Sequence, residues 1–350
     1  MPSVLHLLPQ QTDRQLQVAQ HMLWNRLHGT AVASESSADH LCLTLRPHPH
    51  SHIVAARTLR QWQRGSGPRL IHAWGIPALQ LAAVWATVPI LYSPAPGPAG
   101  RSAGLSRAIA RYRNLHVVCA SATQHAQHMR RGVAPERCHL VRVGVDFSQC
   151  GGLRDVALRK ALGFADEDRV MLLPGDSTRL AAHKEAIWAA SILHVVDTRQ
   201  KVLLWGEGPQ ASTVIEFARR MRQPSLFQVA TRRLGADVPF TRLLGAADVV
   251  LNTSLEGAGN LWLAMCMAAG LPIVSTVTYA TAELLEDRHT ALLVGERSPR
   301  QLAQRLMDLQ ADPTLAAKLR DRARSEAYEH LTQSRFVSDY RTLYEKVAAS

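Results

Sequence analysis

The segment DVVLNTSLEGAGNLWLAMCMAAGLPIVST, residues 248–276, has the order strand, glycine-containing turn, helix and strand. Its apolar run 248–254 predicts a buried strand, and the helix predicted over 260–269 ends before Gly270, a residue type that favours a helix C-terminus. A second strand is predicted over 272–276. Strands that alternate with helices in this way form a parallel sheet covered by helices on both faces.

The same alternation runs through both halves of the chain and restarts after residues 146–155. The sequence therefore predicts two doubly wound, Rossmann-like α/β domains, assigned to residues 1–149 and 150–333, with the C-terminal helix 334–350 added to the first domain. Ligands of such folds bind at the carboxyl ends of the strands, here expected in an interdomain cleft. The predicted strands are 3–8, 40–45, 69–74, 89–93, 115–121, 138–143, 169–175, 201–206, 226–230, 248–254, 272–276 and 290–295.

The composition is that of a folded globular chain. Of its 350 residues 47% are hydrophobic and 19% are charged, and no apolar run reaches the roughly 18 residues that a membrane helix needs. The first residues show neither the basic region nor the cleavage site of a secretory signal. The five cysteines form no closely spaced pairs, which indicates free thiols in a reducing, cytoplasmic compartment.

The net charge of +12 is compatible with nucleic acid, an anionic membrane surface or small anionic ligands. Aromatic residues make up only 5% of the chain, and none of the basic stretches alternates with the stacking aromatics that single-strand binders use. The sequence thus argues against nucleic acid as a partner. It leaves peripheral contact with an anionic membrane open.

Glu256 is the acidic residue of the opening segment, and it lies where a predicted strand ends and a helix begins. The turn at this point, residues 256–260, presents free backbone amides and the positive end of a helix, which together favour an anion. Gly257 and Gly259 would let a ligand approach the backbone closely. A carboxylate beside a phosphate site suits a ligand that also carries hydroxyl groups; alternatively, Glu256 only complements the helix dipole.

Two other strand ends in the second half carry candidate binding residues. Arg179 and Lys184 follow the strand predicted over 169–175 and can bind phosphate by a guanidinium fork and a point charge, although both also fit solvated surface cations. Gly206 and Gly208 follow the next predicted strand, and a G-x-G pair alone is a weak phosphate-binding signal.

The order of these motifs resembles the C-terminal half of the family 4 glycosyltransferases, which have the GT-B fold. The resemblance rests on four motifs in order along the second half. R-L-x-x-x-K (179–184) and GEGP (206–209) each follow a predicted strand, S-x-E-G (254–257) precedes a helix, and AAGLPIVST (268–276) ends that helix and begins the next strand. The resemblance extends into LIHAWG, residues 70–75, in the first half. It implies transfer of a sugar from a nucleoside-diphosphate sugar to an acceptor, with retention at the anomeric carbon and without a cofactor or an essential metal.

The resemblance also assigns roles to residues of this chain. Arg179 and Lys184 match the basic pair that binds the donor pyrophosphate, and Glu256 matches the first Glu of the family's E-x7-E pattern, beside the transferred sugar. The donor-phosphate turn matches Gly257, Ala258, Gly259 and Asn260, and the predicted donor site also includes Gly206 and Gly208.

The chain departs from the family pattern at four places. The second Glu of E-x7-E falls on Ala264, a loss that is expected to weaken donor binding by about 1.5–3 kcal/mol. The family's active-site His would fall near Ala95, and the glycine turns after the first strand and after PIVST are absent. Two interpretations therefore stay open, an active but atypical transferase and a catalytically impaired GT-B protein that acts as a binding or partner subunit.

Two further patterns are attributed to structure rather than to chemistry. The D-x-D pattern of residues 166–168 precedes a strand and is interpreted as a solvated turn rather than a metal site. Trp85 and Trp262 each lie in a predicted helix, at helical spacing from other apolar residues. This pattern favours a place in the core over a place in a ligand cleft.

Overall fold

The structure, a computed structural model, describes residues 4–9, 14–28, 40–45, 57, 68–95, 112, 114–151, 154–255 and 260–349. The chain divides into two compact units. Unit 1 comprises residues 1–144 and 333–350, and unit 2 comprises residues 145–332. The division thus lies at Gly144 and Val145, a few residues before the division expected between 149 and 150.

Unit 1 is a parallel sheet of six strands in the order β2-β1-β3-β4-β5-β6. Within the described residues, Gly75 alone separates β3 from α2, and Ala120 and Ser121 separate β5 from α3, so each of these buried strands passes directly into a helix, as in a parallel sheet covered by helices. The elements of unit 1 are β1 (Val4–Pro9), α1 (Arg14–His28), β2 (His40–Leu45), β3 (Leu70–Trp74), α2 (Ile76–Trp85), β4 (Ile90–Ser93), β5 (Leu115–Cys119), α3 (Ala122–Arg130) and β6 (Cys138–Leu140).

Unit 2 is a second parallel sheet of six strands, in the order β12-β11-β10-β7-β8-β9. Its elements are α4 (Phe147–Cys150), α5 (Val156–Leu162), β7 (Arg169–Leu172), α6 (His183–Val196), β8 (Gln200–Leu204), α7 (Ala211–Arg220), β9 (Phe227–Val229), α8 (Ala230–Leu234), α9 (Phe240–Leu243), β10 (Val249–Asn252), α10 (Leu261–Ala268), β11 (Ile273–Thr276), β12 (Leu292–Val294), α11 (Pro299–Ala311) and α12 (Pro313–His330); α13 (Gln333–Ala348) belongs to unit 1.

The strand order of unit 2 creates a topological switch point. β7 and β10 are neighbours, but the chain leaves β7 for β8 on one side and leaves β10 for β11 on the other. The connections after these two strands therefore diverge and leave a crevice at their carboxyl ends, the usual place of a ligand in doubly wound folds. The segments that follow β7 and β10 include those that carry Arg179 and Glu256.

The C-terminal helix α13 closes unit 1 through a buried polar network. The imidazole of His72, on β3, lies 2.8 Å from the Tyr344 hydroxyl through Nδ1 and 2.8 Å from the Ser93 hydroxyl through Nε2. Burial raises the pKa values of Tyr340 and Tyr344, so both phenols stay neutral. These residues are buried, so the network satisfies polar groups that burial would otherwise penalise.

α10 is buried along its whole length. All eight of its residues lie in the core, and Ala264 has no exposed surface. The helix ends as the sequence predicts, because Gly270 adopts a left-handed φ of 69°. The position where the family pattern has its second Glu is therefore a methyl group in the apolar interior of unit 2.

A helix must be both long and apolar to span a membrane. None of the helices within the described residues is long and apolar enough to cross a bilayer.

Candidate functional site

Three loops meet at the carboxyl edge of the unit 2 sheet. They are residues 173–182 after β7, residues 205–210 after β8, and residues 253–255 after β10. Backbone hydrogen bonds join the described parts of these loops, one of the bonds across the switch point, so the three strand ends form one structure rather than three separate turns. The bonds run from Leu255 N to Leu180 O (2.7 Å), from Ser177 N to Glu207 O (2.7 Å) and from Gln210 N to Ser177 O (2.8 Å).

Thr253 fixes the turn that leads into α6. Its hydroxyl donates to the carbonyl oxygens of Ala181 and Ala182, at 2.9 and 3.1 Å. Ala182 has a φ of 49°, a left-handed conformation that costs an L-residue about 1–2 kcal/mol. The hydroxyl that directly follows β10 thus holds a strained turn on β7's side of the crevice, between Arg179 and Lys184.

The predicted glycines permit close approach of one loop to another. A Cβ at Gly208, which has a φ of 99°, would lie 2.8 Å from both the N and O atoms of Ser177. A Cβ at Gly206 would lie 2.3 Å from the Thr231 hydroxyl oxygen. Both glycines are therefore required by the packing of the chain itself, which is an additional reason for the G-x-G pattern beside the predicted contact with a ligand.

An aromatic cluster supports the loop after β7 from below. Trp262 packs with Trp205 and Phe240 at ring-centroid distances of 5.3 and 5.1 Å, and all three are buried. Its indole also covers Gly175, where a Cβ would lie 2.0 Å from Trp262 Cδ1. Trp262 is thus a core residue, and it shapes the floor of the loop rather than facing a ligand cleft.

His183 links the loop after β7 to the first turn of α6. Its Nε2 donates to Pro174 O at 3.4 Å, so its Nδ1, 3.0 Å from the Ser177 Oγ, accepts from that hydroxyl. The ring is buried, and desolvation lowers the pKa of His183 to about 4. A neutral imidazole therefore spans the base of the loop that carries Arg179.

This geometry predicts a loss of stability in mild acid. Above pH 6.5 His183 is neutral in both folded and unfolded chains; as the pH falls from 6.5 towards 4, only the unfolded chain takes up the proton. We expect this residue to remove about 3 kcal/mol of unfolding free energy over that interval. Urea unfolding at several pH values should show that unfolding free energy falls less steeply with falling pH for His183→Gln than for the parent. Equal slopes for parent and His183→Gln would contradict the prediction.

The two predicted cations lie at either end of this turn. Arg179 is exposed in the loop after β7, and Lys184 is the second residue of α6. The Lys184 ammonium lies 5.8 Å from the centre of the Phe217 ring, a loose cation–π contact that leaves it half-buried. Both cations therefore stand at the positive N-terminal end of a fourteen-residue helix, where an anion is favoured.

Asn260 joins the start of α10 to the loop after β11. Its Nδ2 donates to Ala280 O at 2.9 Å, and the residue is buried. The loop, which lacks the glycines of the family pattern, is built on threonine hydroxyls instead: the Thr281 hydroxyl donates to Thr276 O at 2.9 Å and accepts from Thr278 N at 2.8 Å. Asn260 thus has a structural contact that the sequence did not predict.

Several predicted features lie outside the described residues, namely Glu256, Gly257, Ala258, Gly259 and the side chain of Trp85.

Within the described part, the D-x-D interpretation needs a correction. Asp166 is exposed as expected, but Asp168 is buried, accepts from Ala165 N at 2.8 Å and lies 3.8 Å from the Lys201 ammonium. Asp168 stabilises the start of β7 and is not part of a solvated turn.

Sequence inspection missed three residues of the site: Ser177, His183 and Thr253. Ser177 and His183 carried a weak signal, since both flank the predicted cations. Thr253 carried a clearer one, because a hydroxyl residue directly after a buried strand is a common partner for backbone carbonyls of the next loop.

This edge of the sheet lies within the part of the chain that matches a family of known proteins. Residues 170–312 match the family model described as "Glycosyl transferases group 1". The matched region begins with β7 and includes all three loops of the candidate site. It covers less than half of the chain.

Individual relatives are distant. The chain is 25% identical over 191 residues to N-acetyl-alpha-D-glucosaminyl L-malate synthase of Bacillus anthracis, an alignment that covers 54% of this chain and 49% of that protein. It is 24% identical over 291 residues to D-inositol 3-phosphate glycosyltransferase of Jonesia denitrificans, covering 79% and 68%. The match thus spans about half the length of the first relative.

Among solved structures, Anabaena Alr3699/HepE in complex with UDP-glucose superposes with a TM-score of 0.80 at 17% identity, covering 99% of this chain and 100% of that one. Similarity at this level of identity shows a shared fold. It confirms the α/β class with two parallel sheets that is typical of GT-B proteins.

Proposed function

We propose that this chain is a glycosyltransferase, which takes a sugar from a nucleoside-diphosphate sugar and transfers it to an acceptor with retention at the anomeric carbon. The observation that carries the proposal is the meeting of three loops at the switch point of unit 2, with Arg179, Lys184 and the N-terminus of α6 at one edge. The family match over residues 170–312 supports the same assignment, since it covers these loops.

The chemistry follows from where charge develops. In the transfer, the bond between the anomeric carbon and the diphosphate breaks, a bond to the acceptor oxygen forms on the same face, and the acceptor's proton passes to the departing phosphate or to solvent. Negative charge grows on the diphosphate as it leaves. A guanidinium, an ammonium and helix-terminal amides fixed beside it stabilise the transition state more than the ground state, without a metal or other cofactor.

The proposed catalytic residue is Glu256, beside the transferred sugar, and the proposed phosphate turn is Gly257, Ala258, Gly259 and Asn260. Leu255, which directly precedes Glu256, is held by its amide to Leu180 O. This bond ties the start of the turn to the loop of Arg179. Gly206 and Gly208 complete the proposed donor site on the side of β8.

The alternative is a GT-B protein that binds a sugar nucleotide without turning it over. The departures from the family pattern, the buried methyl of Ala264 among them, are the reason to keep this alternative, because they alter positions at which the family pattern has functional residues. The two functions differ in a simple way: both bind a nucleoside diphosphate in unit 2, and only the first releases it from a sugar donor.

The test combines binding and turnover. UDP, UDP-glucose and other nucleoside-diphosphate sugars are titrated by calorimetry, and release of the nucleoside diphosphate is followed with and without acceptor extracts. We expect Arg179→Met and Lys184→Met each to weaken donor binding about 10- to 100-fold, since a hydrogen bond to a charged group contributes about 1.5–3 kcal/mol. Glu256→Gln should lower turnover and leave binding nearly unchanged.

The matched control is Lys160→Met, which removes an exposed cation of unit 2 from α5. It should bind and turn over like the parent. Parental binding in both Arg179→Met and Lys184→Met would refute the donor site. Tight binding without release from any donor would favour the binding protein over the enzyme.

The proposal includes the cytoplasm as the location and peripheral contact with an anionic membrane. It is supported by the net charge of +12 and by the free thiols of the four cysteines whose side chains the structure describes, Cys119, Cys138, Cys150 and Cys266. The acceptor would then be presented at, or near, a lipid surface.

A further inference from the structure

The outer face of α6 carries an apolar stripe. Trp188, Ile192, Val195 and Val196 occupy positions i, i+4, i+7 and i+8, which lie within an arc of about 100° on a helix. Trp188, Val195 and Val196 are 53%, 74% and 85% exposed, whereas Ile192 is half-buried and also packs against the core. The opposite face of the same helix, which includes Ala186, Ala190 and Leu193, packs into the core.

This stripe is larger than the isolated apolar residues that any protein surface shows. α6 lies between α7 and α11 and packs against both. α11 adds Met307, which is 48% exposed. Burial of Ala186 and Leu193 is enough to attach α6 to the sheet, so the fold of unit 2 does not require apolar residues on its outer face. A contiguous exposed apolar surface of this kind marks a site of interaction.

Basic residues predominate on the three helices that form this layer. Within the three helices the cations are Lys184, Arg219, Arg220, Arg300 and Arg305, and the acids are Glu185, Glu216 and Asp308; just past the helix ends lie Arg222 after α7, Asp197 after α6 and Asp312 after α11. Two of the acids are already paired, Glu216 with Arg220 at 3.1 Å and Asp308 with Arg305 at 3.3 Å. The apolar stripe is thus flanked by a surface of net positive charge.

We infer that this face of unit 2, formed by the stripe of α6 and the flanking cations of α7 and α11, docks on an anionic lipid bilayer. A lipid surface fits both features: the headgroups complement the cations, and the interfacial layer accepts the valines and the amphipathic indole of Trp188. The inference specifies the surface for the membrane contact proposed above, and it does not depend on the transfer reaction.

The experiment measures binding of the full chain to vesicles. Vesicles of phosphatidylcholine with phosphatidylglycerol are compared with vesicles of phosphatidylcholine alone, by co-sedimentation at low and at physiological salt. We expect binding to the anionic vesicles only, weakened by salt. The chain has seven tryptophans, so the fluorescence shift on binding is compared between the parent and Trp188→Phe, and the blue shift should be largely lost in the latter.

A double variant, Val195→Gln with Val196→Gln, should weaken vesicle binding about tenfold or more, because each valine then loses its apolar contact. Val84→Gln is the matched control: it changes a valine that is 69% exposed on α2, in unit 1, and should bind vesicles like the parent. A second variant, Arg219→Gln with Arg220→Gln, should reduce the salt-sensitive part of binding. Unchanged thermal unfolding of these variants would show that they fold.

Three results would overturn the inference. The first is no binding to anionic vesicles. The second is equal vesicle binding of the parent and the valine double variant. The third is self-association of the parent in light scattering that the valine variant abolishes, in the absence of vesicle binding; this face would then be an interface between two copies of the chain. Because nucleotide binding is measured separately, failure here leaves the proposed donor site intact.

Discussion

Ala264→Glu is expected to lower the free energy of unfolding by about 4 kcal/mol at pH 7, although it restores the residue of the family pattern. The side chain at this position enters the interior of unit 2, because all of α10 is buried and Ala264 has no exposed surface. A carboxylate there must either stay charged in apolar surroundings or take up a proton far above its usual pKa. Both outcomes oppose folding.

The measurement is urea unfolding at several pH values. Since the raised pKa favours the protonated, folded form, the ionisation penalty should be absent below the unfolded pKa of about 4.3 and grow as the pH rises through the folded pKa. Ala264→Met is the control, because it adds a side chain of similar length without a charge and reports overpacking alone. If Ala264→Glu had the same free energy of unfolding as Ala264→Met at pH 7 and also bound the donor more tightly than the parent, the side chain would face the ligand. The placement of α10 would then be wrong.

Gly175→Ala is expected to destabilise unit 2 by about 3–5 kcal/mol, the sum of left-handed strain and overpacking. Gly175 has a φ of 76°, and an added Cβ would fall 2.0 Å from Cδ1 of the buried Trp262. The indole is confined by Trp205 and Phe240, so it cannot move aside without disturbing the aromatic cluster. The loop that carries Arg179 should shift with it, and donor binding should weaken as well.

A matched glycine separates the two causes. Gly163 has a φ of 84°, similar to that of Gly175, but its Cβ would meet the nearest atom only at 3.5 Å. Gly163→Ala should therefore cost about 1–2 kcal/mol, the left-handed strain alone. Thermal or urea unfolding of the two variants gives the difference directly, and equal losses would mean that contact with Trp262 is not the cause.

The strands and their order along the chain could be predicted because a buried parallel strand is a short apolar run between turn residues. β2, for example, coincides with the predicted 40–45, and β12 lies within the predicted 290–295. The ends were less well predicted: β6 stops at Leu140, three residues before its expected end. Strand ends depend on where the neighbouring strand stops pairing, which is not encoded locally.

The candidate site was predictable at the level of motifs but not of contacts. The three strand ends in unit 2 were identified because turn glycines and cations follow apolar runs. The bonds of Thr253 to Ala181 and of Asn260 to Ala280 join residues that are far apart in sequence, so no local pattern reports them. The apolar stripe of α6 illustrates a further limit: an apolar face at helical spacing is typical of the core, and only packing shows that Trp188, Val195 and Val196 point outward.

Val145 and Thr332, the first and last residues of unit 2, pair in a β-bridge, and Val145 N also donates to Leu331 O at 2.8 Å. The whole of residues 145–332 therefore forms a closed loop inserted into another domain, with its entrance and exit side by side. A gene segment bounded at these two residues therefore encodes a compact unit whose two ends are adjacent. Deletion of the last eighteen residues, by contrast, would remove the helix that completes the other domain, so a shortened C-terminus damages the part of the protein that begins at the N-terminus.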